Sequence, residues 1–332
     1  MVWHENLEEE KLKKINATLD EGTIFDNNVK KNILLINDLP GYGKVALAAM
    51  TPILSRMGHY IFQLPTAVVS NTLDYGKFHI QDMTEYMQNT LVVWKDLGFE
   101  PDCIFTGFIL SEGQAELIGE YIRQIRKKKK EKMLVIVDPI MADGGKLYNG
   151  IGPERVMAMQ KLAAYADVMV PNMTEASFLT GIRPGQETGT EEEIRELVEG
   201  LRKISGRSVV ITSGGKRSKE ENGGQTHIVC GYDHWQEEYF EISYDVLPVR
   251  VAGSGDIFSA MLTGELLKGK TLRDAAEKAV RILSCLIQKN QEHMKKYKGI
   301  IVEQYWELLE KAVADYPSAA AFTNSVNSLF AA

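Results

Sequence analysis

Residues 253–256, which read Gly-Ser-Gly-Asp, combine two glycines with an acid at the start of an apolar run. Glycines that precede a helix let successive backbone N–H groups point into one concavity, where the helix dipole adds positive potential. Such a nest binds an anion and suits a developing negative charge. Asp256 is then either a capping acid of the helix or a base beside the anion site. On this stretch alone, the capping interpretation is favoured.

Asn172 and Glu175, in the segment "PNMTEASFL", form a second candidate group. Asn172 ends a predicted strand and Glu175 follows one helical turn later, so both side chains can face the same crevice. Amide and carboxylate oxygens suit a hydrated Mg²⁺ beside phosphates. The alternative is a capping box, in which each side chain accepts a hydrogen bond from the backbone of the other. By itself, this spacing favours the capping box.

Two acids occur in the segment "DPIMADGG", Asp138 at a predicted strand end and Asp143 in a glycine-rich loop. Together they could neutralise a lysine or a metal ion near a polyphosphate. The alternative is that both are solvated loop acids.

The segment "GYGK", residues 41–44, is not a P-loop, although it resembles one at first sight. A P-loop requires a glycine five positions before Gly43 and Ser or Thr after Lys44, whereas this chain has Asp38 and Val45 there. Two interpretations remain open. The segment is either a turn that brings the backbone close to a ligand or a tight structural turn.

The elements that must position these residues alternate between short apolar strands and amphipathic helices. Six runs predict buried strands: 31–38, 59–65, 102–108, 132–139, 167–172 and 207–215. Helical spacing covers 44–58, 80–97, 113–128, about 153–164, 174 onward, about 190–204, 255–268, 271 onward and 301–315. Residues 225–245 predict an antiparallel hairpin, and 67–78 a loop or small flap.

This alternation predicts an α/β fold with three layers, in which a mostly parallel sheet carries helices on both faces. Ligands of such sheets bind beyond the carboxyl ends of the strands. We therefore expect the chemistry at the polar strand ends.

Bulk composition excludes several functional classes. The net charge of -7 argues against a nucleic-acid platform and against binding to an anionic membrane. No apolar run approaches the roughly 18 residues that span a bilayer, and residues 1–14 lack the apolar segment of a signal peptide. The three cysteines are widely spaced, which is typical of reduced thiols. We expect a soluble cytoplasmic protein.

Taken together, the motifs resemble the ribokinase-like superfamily, and within it the pyridoxal (vitamin B6) kinases. The segments that carry the resemblance are "LPTAVVSNTLDYGKF", "IFTGF", "VDPIMADGGKLY", "VPNMTEASFLTG", "VVITSGG" and "GSGDIFSAML". Their order matches from about residue 31 to 290. The resemblance implies one ribokinase-like kinase domain over 26–316, with a helical extension at 1–25 and a tail at 317–332.

The implied activity is ATP-dependent phosphorylation of the 5′-hydroxymethyl group of pyridoxal, pyridoxine or pyridoxamine, by a homodimer that uses Mg²⁺. A monovalent cation such as K⁺ is a further candidate cofactor. By carry-over, Asp256 is the general base, and the anion hole for the phosphoryl group consists of Gly253, Ser254 and Gly255. The implied Mg²⁺ and phosphate network consists of Asp143, Asn172 and Glu175. The nucleotide is implied to contact Thr212 and Ser213.

The positions that match the surroundings of the pyridine ring are Asp38, Thr66, Val69 and Phe108. This chain departs from the pattern at three places around that ring. Many B6 kinases have Ser where Asp38 stands, Tyr where Phe108 stands, and "SNHT" where this chain has "SNTL" at 70–73. Phe108 can stack on a ring but cannot donate a hydrogen bond, whereas Asp38 offers a charged contact to a ring hydroxyl or a protonated nitrogen.

Three other functions are alternatives to this one. Hydroxymethylpyrimidine kinases of thiamin synthesis share the fold but usually carry Cys where Asp256 stands. Sugar kinases usually have acids and Asn in the flap, whereas "LPTAVVSN" is apolar and suits a flat heteroaromatic ring. A non-catalytic B6-binding protein would be expected to lack the base or the nest, and both are present here.

Overall fold

The computed structural model describes residues 30–129, 133–148, 151–218, 225–245, 251–290 and 299–307. In chain order the strands are β1 (Asn32–Pro40), β2 (Tyr60–Val69), β3 (Ile80–Asp82), β4 (Cys103–Thr106), β5 (Leu134–Val137), β6 (Ala142–Asp143), β7 (Lys146–Leu147), β8 (Val168–Met169), β9 (Ser208–Ser218), β10 (Gln225–Asp233) and β11 (Glu238–Asp245).

The helices are α1 (Ala46–Arg56), α2 (Thr84–Asp96), α3 (Glu112–Lys129), α4 (Pro153–Ala163), α5 (Met173–Thr180), α6 (Glu191–Ser205), α7 (Ser254–Leu267) and α8 (Leu272–Asn290). Short 3₁₀ turns cover Leu73–Tyr75 and Val302–Tyr305.

Nine of these strands form one sheet in the order β11-β10-β9-β8-β5-β4-β1-β2-β3. The neighbours from β9 to β2 are parallel. The edge strands β3, β10 and β11 pair antiparallel. A parallel centre requires crossover connections, which the helices supply. The predicted sheet and the predicted hairpin at 225–245 are therefore confirmed.

Both faces of the sheet are buried, and β1 shows why. Its four residues 33–36 are all apolar and have no exposed surface. Leu34 and Ile36 pack in one core with helices α2 to α6, whereas Ile33 and Leu35 pack in the other with α1, α7 and α8. Successive side chains of a strand point to opposite faces, so a continuous apolar run serves both cores at once and produces the three layers.

Two predicted boundaries near the flap were wrong. Strand β2 continues to Val69, although 67–78 was predicted as a loop, because β3 pairs with it through Ala67 and Asp82. Residues 80–82 are therefore strand and not the start of the predicted helix. Helix α2 begins at Thr84, whose N–H donates to the Asp82 carboxylate at 2.7 Å.

Some predicted features lie outside the described residues: the extension at 1–25, the tail at 317–332 and the final helix beyond residue 307. The glycine-rich loop predicted around Asp143 contains the two-stranded hairpin β6–β7. Within the described ranges, the helices are too short or too polar to cross a membrane.

The matched substitutions Leu35→Ala and Leu97→Ala test the two-sided core. Leu35 has no exposed surface, whereas Leu97 is 61% exposed at the end of α2. We expect Leu35→Ala to lower the free energy of unfolding by about 2–5 kcal/mol and Leu97→Ala to change it by about 0.5 kcal/mol or less. Urea unfolding followed by circular dichroism measures both. Equal losses in the two variants would contradict this account of the core.

Candidate active site

The polar strand ends meet at one edge of the sheet, as predicted. The register pairs Ile36 with Thr106 and Thr106 with Val137. The next residues along these strands are Asn37, Gly107 and Asp138, and all follow a buried strand centre. The strand centres are buried and apolar, and the polar residues that follow them lie together at the carboxyl edge of the sheet. Folds of this kind bind their ligands at that edge.

Asn37 is the hub of this edge, because its buried amide joins four other residues, one of them Met50, whose Sδ lies 3.8 Å from Nδ2. Its Oδ1 accepts hydrogen bonds from the N–H groups of Phe108 at 2.8 Å and of Asp38 at 3.0 Å. Its Nδ2 donates to Oδ1 of Asp256 at 3.5 Å. A Cβ on Gly107 would lie 2.5 Å from Asn37 Nδ2, so only glycine leaves room for the amide.

Asp256 lies where the amino ends of α7 and α1 converge. It sits in the first turn of α7 and also accepts a hydrogen bond from the N–H of Ala46, the first residue of α1. Val45, which precedes α1, provides no side-chain cap. Burial raises the pKa of Asp256 to about 6, against the lowering effect of the bonds from Ala46 and Asn37. The carboxylate is thus tuned to ionise close to neutral pH, which suits a general base.

The two glycines before Asp256 are required for different reasons. Gly253 has φ 81°, in the left-handed region, and a Cβ there would lie 2.3 Å from the carbonyl oxygen of Lys44. Gly255 has ordinary helical backbone, and a Cβ there would meet no atom within 4 Å. The protein itself requires glycine at 253, whereas nothing in the described part of the protein requires it at 255. An open face beside backbone N–H groups at a helix start is where a phosphate could approach closely.

A row of carboxyl groups runs along this edge, of which Asp138, Glu175 and Asp256 are buried and Asp38 is half-buried. Asp138 accepts a hydrogen bond from Ser259 Oγ at 2.8 Å. Burial and then the charge of Asp256 raise the pKa of Asp138. Burial and then the charge of Asp138 raise the pKa of Glu175 well above its ordinary range. Burial and then the charge of Asp256 raise the pKa of Asp38 to about 7. The negative charge of one carboxylate therefore disfavours ionisation of the next one along the edge. A bound cation would reduce this repulsion.

Asn172 and Glu175 form the predicted capping box at the start of α5. Glu175 also accepts hydrogen bonds from the N–H groups of Met141 at 3.1 Å and Ala142 at 3.5 Å. Asn172 Nδ2 donates to the carbonyl oxygen of Ala142 at 2.8 Å. The pair therefore fixes the turn that leads into β6, and the capping interpretation of this motif is confirmed.

Asp143 reaches the same region through the β6–β7 hairpin. Its carboxylate accepts a hydrogen bond from Gly144 N–H at 2.8 Å. The hairpin is anchored to α5 because Gly145 N–H donates to Thr174 Oγ1 at 3.1 Å. Among the described residues, no three His, Cys, Asp or Glu side chains form a group that could hold a metal ion. Mg²⁺ commonly takes one or two carboxylates and completes its shell with water and substrate phosphates, so these residues fit a hydrated Mg²⁺ that arrives with a nucleotide.

Thr212 and Ser213 lie beside the start of α5. Thr212 N–H donates to the carbonyl oxygen of Pro171 at 3.0 Å, and Ser213 Oγ accepts from Met173 N–H at 3.4 Å. Strand β9 thus brings both residues next to Asn172, and their predicted contact with a nucleotide stays a prediction.

The residues predicted around a substrate ring lie near the carboxyl ends of β1, β2 and β4. Thr66 Oγ1 donates to the carbonyl oxygen of Phe108 at 2.7 Å. Val69 is buried near the end of β2, and its carbonyl oxygen accepts from Gly41 N–H at 2.7 Å. The guanidinium of Arg155 lies 5.8 Å from the centre of the Phe108 ring. The structure therefore places Thr66 as a support for Phe108.

The "GYGK" segment connects the flap to the nest. Thr72 N–H donates to the carbonyl oxygen of Tyr42 at 3.0 Å, and the Tyr42 and Tyr75 rings lie 5.8 Å apart. At its other end, Lys44 forms an ion pair with Glu303, and the Lys44 carbonyl oxygen lies against Gly253. These contacts favour the structural-turn interpretation, in which the segment sets the position of the first N–H of α1.

The sequence profile of the phosphomethylpyrimidine kinase family matches residues 50–301, which is more than half of the chain. The chain belongs to this kinase family. It is similar to the pyridoxine/pyridoxal/pyridoxamine kinase of Bordetella bronchiseptica, with 27% identity over 246 residues, 72% of this chain and 82% of that protein.

Two solved structures are also similar to this chain. A protein of Bacteroides thetaiotaomicron, described as a phosphomethylpyrimidine kinase and crystallised with pyridoxal, is 30% identical with a TM-score of 0.78, over 88% of this chain and 98% of that one. Pyridoxal kinase from Lactobacillus plantarum is 25% identical with a TM-score of 0.73, over 86% and 97%. The predicted ribokinase-like fold and the resemblance to B6 kinases are confirmed.

Sequence reasoning missed one residue of this edge, Ser259. Asp138 was already a candidate acid, and Asn37 stands at one of the polar strand ends where the chemistry was expected. Nothing local to Ser259 signals a role, since it lies inside an apolar helix and its bond to Asp138 spans 121 positions of chain.

The substitutions Gly253→Ala and Gly255→Ala test the separate reasons for the two glycines. We expect Gly253→Ala to lower the free energy of unfolding by more than about 1–2 kcal/mol, because the left-handed backbone penalty is added to the clash with Lys44. Gly255→Ala should leave stability unchanged or raise it by about 0.5–1 kcal/mol. Thermal and urea unfolding of both variants provide the measurement. A large loss of stability in Gly255→Ala would show that the protein, and not a ligand, requires that glycine.

Proposed function

We propose that this kinase transfers the terminal phosphoryl group of ATP to the 5′-hydroxymethyl group of pyridoxal, pyridoxine or pyridoxamine. The observation that carries the proposal is the Asp256 carboxylate, tuned to ionise near neutral pH and set beside a helix start whose open face at Gly255 the protein leaves free. The names of the B6 kinases among its relatives support the choice of substrate.

In the proposed mechanism, Asp256 accepts the hydroxyl proton as the substrate oxygen attacks the terminal phosphorus. The new O–P bond forms as the bond to the leaving diphosphate oxygen breaks. Gly253, Ser254 and Gly255 surround the anion hole, where first-turn N–H groups face the charge on the transferred oxygens. Phosphoryl transfer requires positioning and charge neutralisation more than covalent help, and this arrangement supplies both.

We place the nucleotide along Thr212 and Ser213, with its phosphates directed towards the start of α5. Asp143 and Asn172 are the proposed residues facing the hydrated metal ion, and Glu175 holds the turn that positions them. Bound Mg²⁺ supplies neutralisation of the phosphate charge. A monovalent cation such as K⁺ is a second proposed ion, because the row of carboxyl groups lacks a salt bridge within the described ranges.

The B6 ring is proposed to lie between the flap and the end of β4. Phe108 and Val69 offer apolar surface, Thr66 supports Phe108, and Asp38 is the polar group of this pocket. We further propose a single kinase domain over 26–316, a homodimer and a cytoplasmic location. The buried free thiols of Cys103 and Cys230 are compatible with a reducing compartment.

A substrate panel tests the function itself. The purified chain, with MgATP, is expected to convert all three B6 vitamers to their 5′-phosphates, as measured by mass spectrometry. Hydroxymethylpyrimidine and ribose are the comparison substrates. The pyrimidine is the more informative of the two, because the family profile that matches the chain is that of the phosphomethylpyrimidine kinases. Turnover of the pyrimidine without turnover of any vitamer would contradict the proposal and identify a pyrimidine as the substrate.

Asp256→Asn tests the base. We expect kcat to fall by about 10²–10⁴ with ATP binding nearly unchanged, because the amide cannot accept the proton. In the unsubstituted enzyme, kcat/KM should fall about tenfold per pH unit below pH 6, since a carboxyl group with a pKa of about 6 loses its basic form there. Fixed-time assays between pH 5 and 8 measure the kcat of the variant and the pH profile of the unsubstituted enzyme. A kcat close to that of the unsubstituted enzyme would reduce Asp256 to a helix cap.

A further inference from the structure

Asp38 occupies an irregular position at the carboxyl end of β1. Asn37 pairs with Pro65 of β2, whereas Leu39 pairs with Val68, so the register shifts across Asp38. A bulge of this kind redirects a side chain relative to a regular strand. The N–H of Asp38 is fixed by Asn37 Oδ1 at 3.0 Å, which ties the position of the carboxylate to the hub of the site.

The Asp38 carboxylate has a negative neighbour and no positive one. Within the described part of the chain it forms no salt bridge, and the one charged group that perturbs it is Asp256. Its own N–H is the hydrogen-bond donor that stabilises its charge. Two carboxylates that share a poorly hydrated pocket disfavour one another unless a cation joins them.

The cationic side chains on neighbouring segments are committed elsewhere. Lys44, on the connection that follows β1, pairs with Glu303. Arg155 lies over the Phe108 ring and donates to the carbonyl oxygen of Ile109. Among the described residues no cation pairs with Asp38, which leaves this carboxylate available to a cation of a bound molecule.

We propose that Asp38 is a specificity-determining residue that pairs with a cationic nitrogen of the substrate. The inference rests on the proposed function and names the charge state of the substrate that the site prefers. A serine at this position could donate a hydrogen bond to a neutral group but would offer no countercharge.

Two nitrogens of the B6 vitamers can carry this charge. With the 5′-hydroxymethyl group at Asp256, the neighbouring ring substituent of pyridoxamine is an aminomethyl group, which is an ammonium near neutral pH. Pyridoxal and pyridoxine carry neutral groups there. The protonated ring nitrogen is the second source and is common to all three vitamers. A charge-assisted hydrogen bond is about twice as strong as a neutral one, so either nitrogen would be selected over an uncharged group.

The test compares Asp38→Asn and Asp38→Ser with the unsubstituted enzyme. Values of kcat/KM are measured for pyridoxamine, pyridoxal, pyridoxine and an analogue of pyridoxine with C–H in place of the ring nitrogen. Calorimetry measures pyridoxamine binding without ATP. Loss of a bond to a charged group predicts a fall of about 10–100-fold in kcat/KM. Asp96→Asn, which removes an exposed acid at the end of α2, is the control and should change nothing.

A loss confined to pyridoxamine supports pairing with its ammonium group. An equal loss for the three vitamers that spares the C–H analogue supports pairing with the ring nitrogen. Unchanged kcat/KM and binding, or an equal loss that includes the analogue, would overturn the proposal. If the unsubstituted enzyme phosphorylated no vitamer, the proposed function would fail, whereas calorimetry would still decide whether Asp38 binds the cation.

Discussion

The rest of the site depends on holding the carboxylate of Asp256 out of water where two helices begin. Burial raises the pKa of this carboxyl group, whereas the hydrogen bonds from the N–H of Ala46 and the amide of Asn37 lower it. The resulting pKa is about 6. Its position also depends on the glycine at 253, because the connection before α1 passes directly against that residue. One carboxylate thus links β1, α1 and α7, and these elements lie on the core that packs beneath the anion nest.

The row of carboxyl groups has a thermodynamic consequence. The folded protein binds protons on Asp38 and Asp256 more tightly than the unfolded chain does, since both have raised pKa values. The contribution of these two groups to stability therefore decreases as pH rises from about 4 to about 7, where the folded state must give up these protons. A bound cation offsets this cost. The same arrangement that disfavours the empty site at neutral pH thus favours binding of metal, nucleotide and a cationic substrate.

Much of this architecture could be predicted because the signals are local. Apolar runs such as residues 33–36 identify buried strands, and Gly-Ser-Gly-Asp identifies a helix start. The flap boundary could not be predicted, because Val69 is a strand residue through its pairing with Pro40 and Ile80, both distant in sequence. The roles of Asn37 and Ser259 depend on contacts over 219 and 121 positions of chain. Local spacing does reveal the capping box of Asn172 and Glu175, but it does not show that Glu175 also holds residues 141 and 142.

The central claim is that the protein leaves the space beside Gly255 free for the transferred phosphoryl group. The most direct measurement is kcat/KM for pyridoxal phosphorylation by Gly255→Ala, determined on protein that urea unfolding shows to be at least as stable as the unsubstituted enzyme. The account predicts a fall of at least about tenfold, because a methyl group would separate the phosphoryl oxygens from the backbone N–H groups. Wild-type kcat/KM in a fully folded Gly255→Ala variant would contradict it.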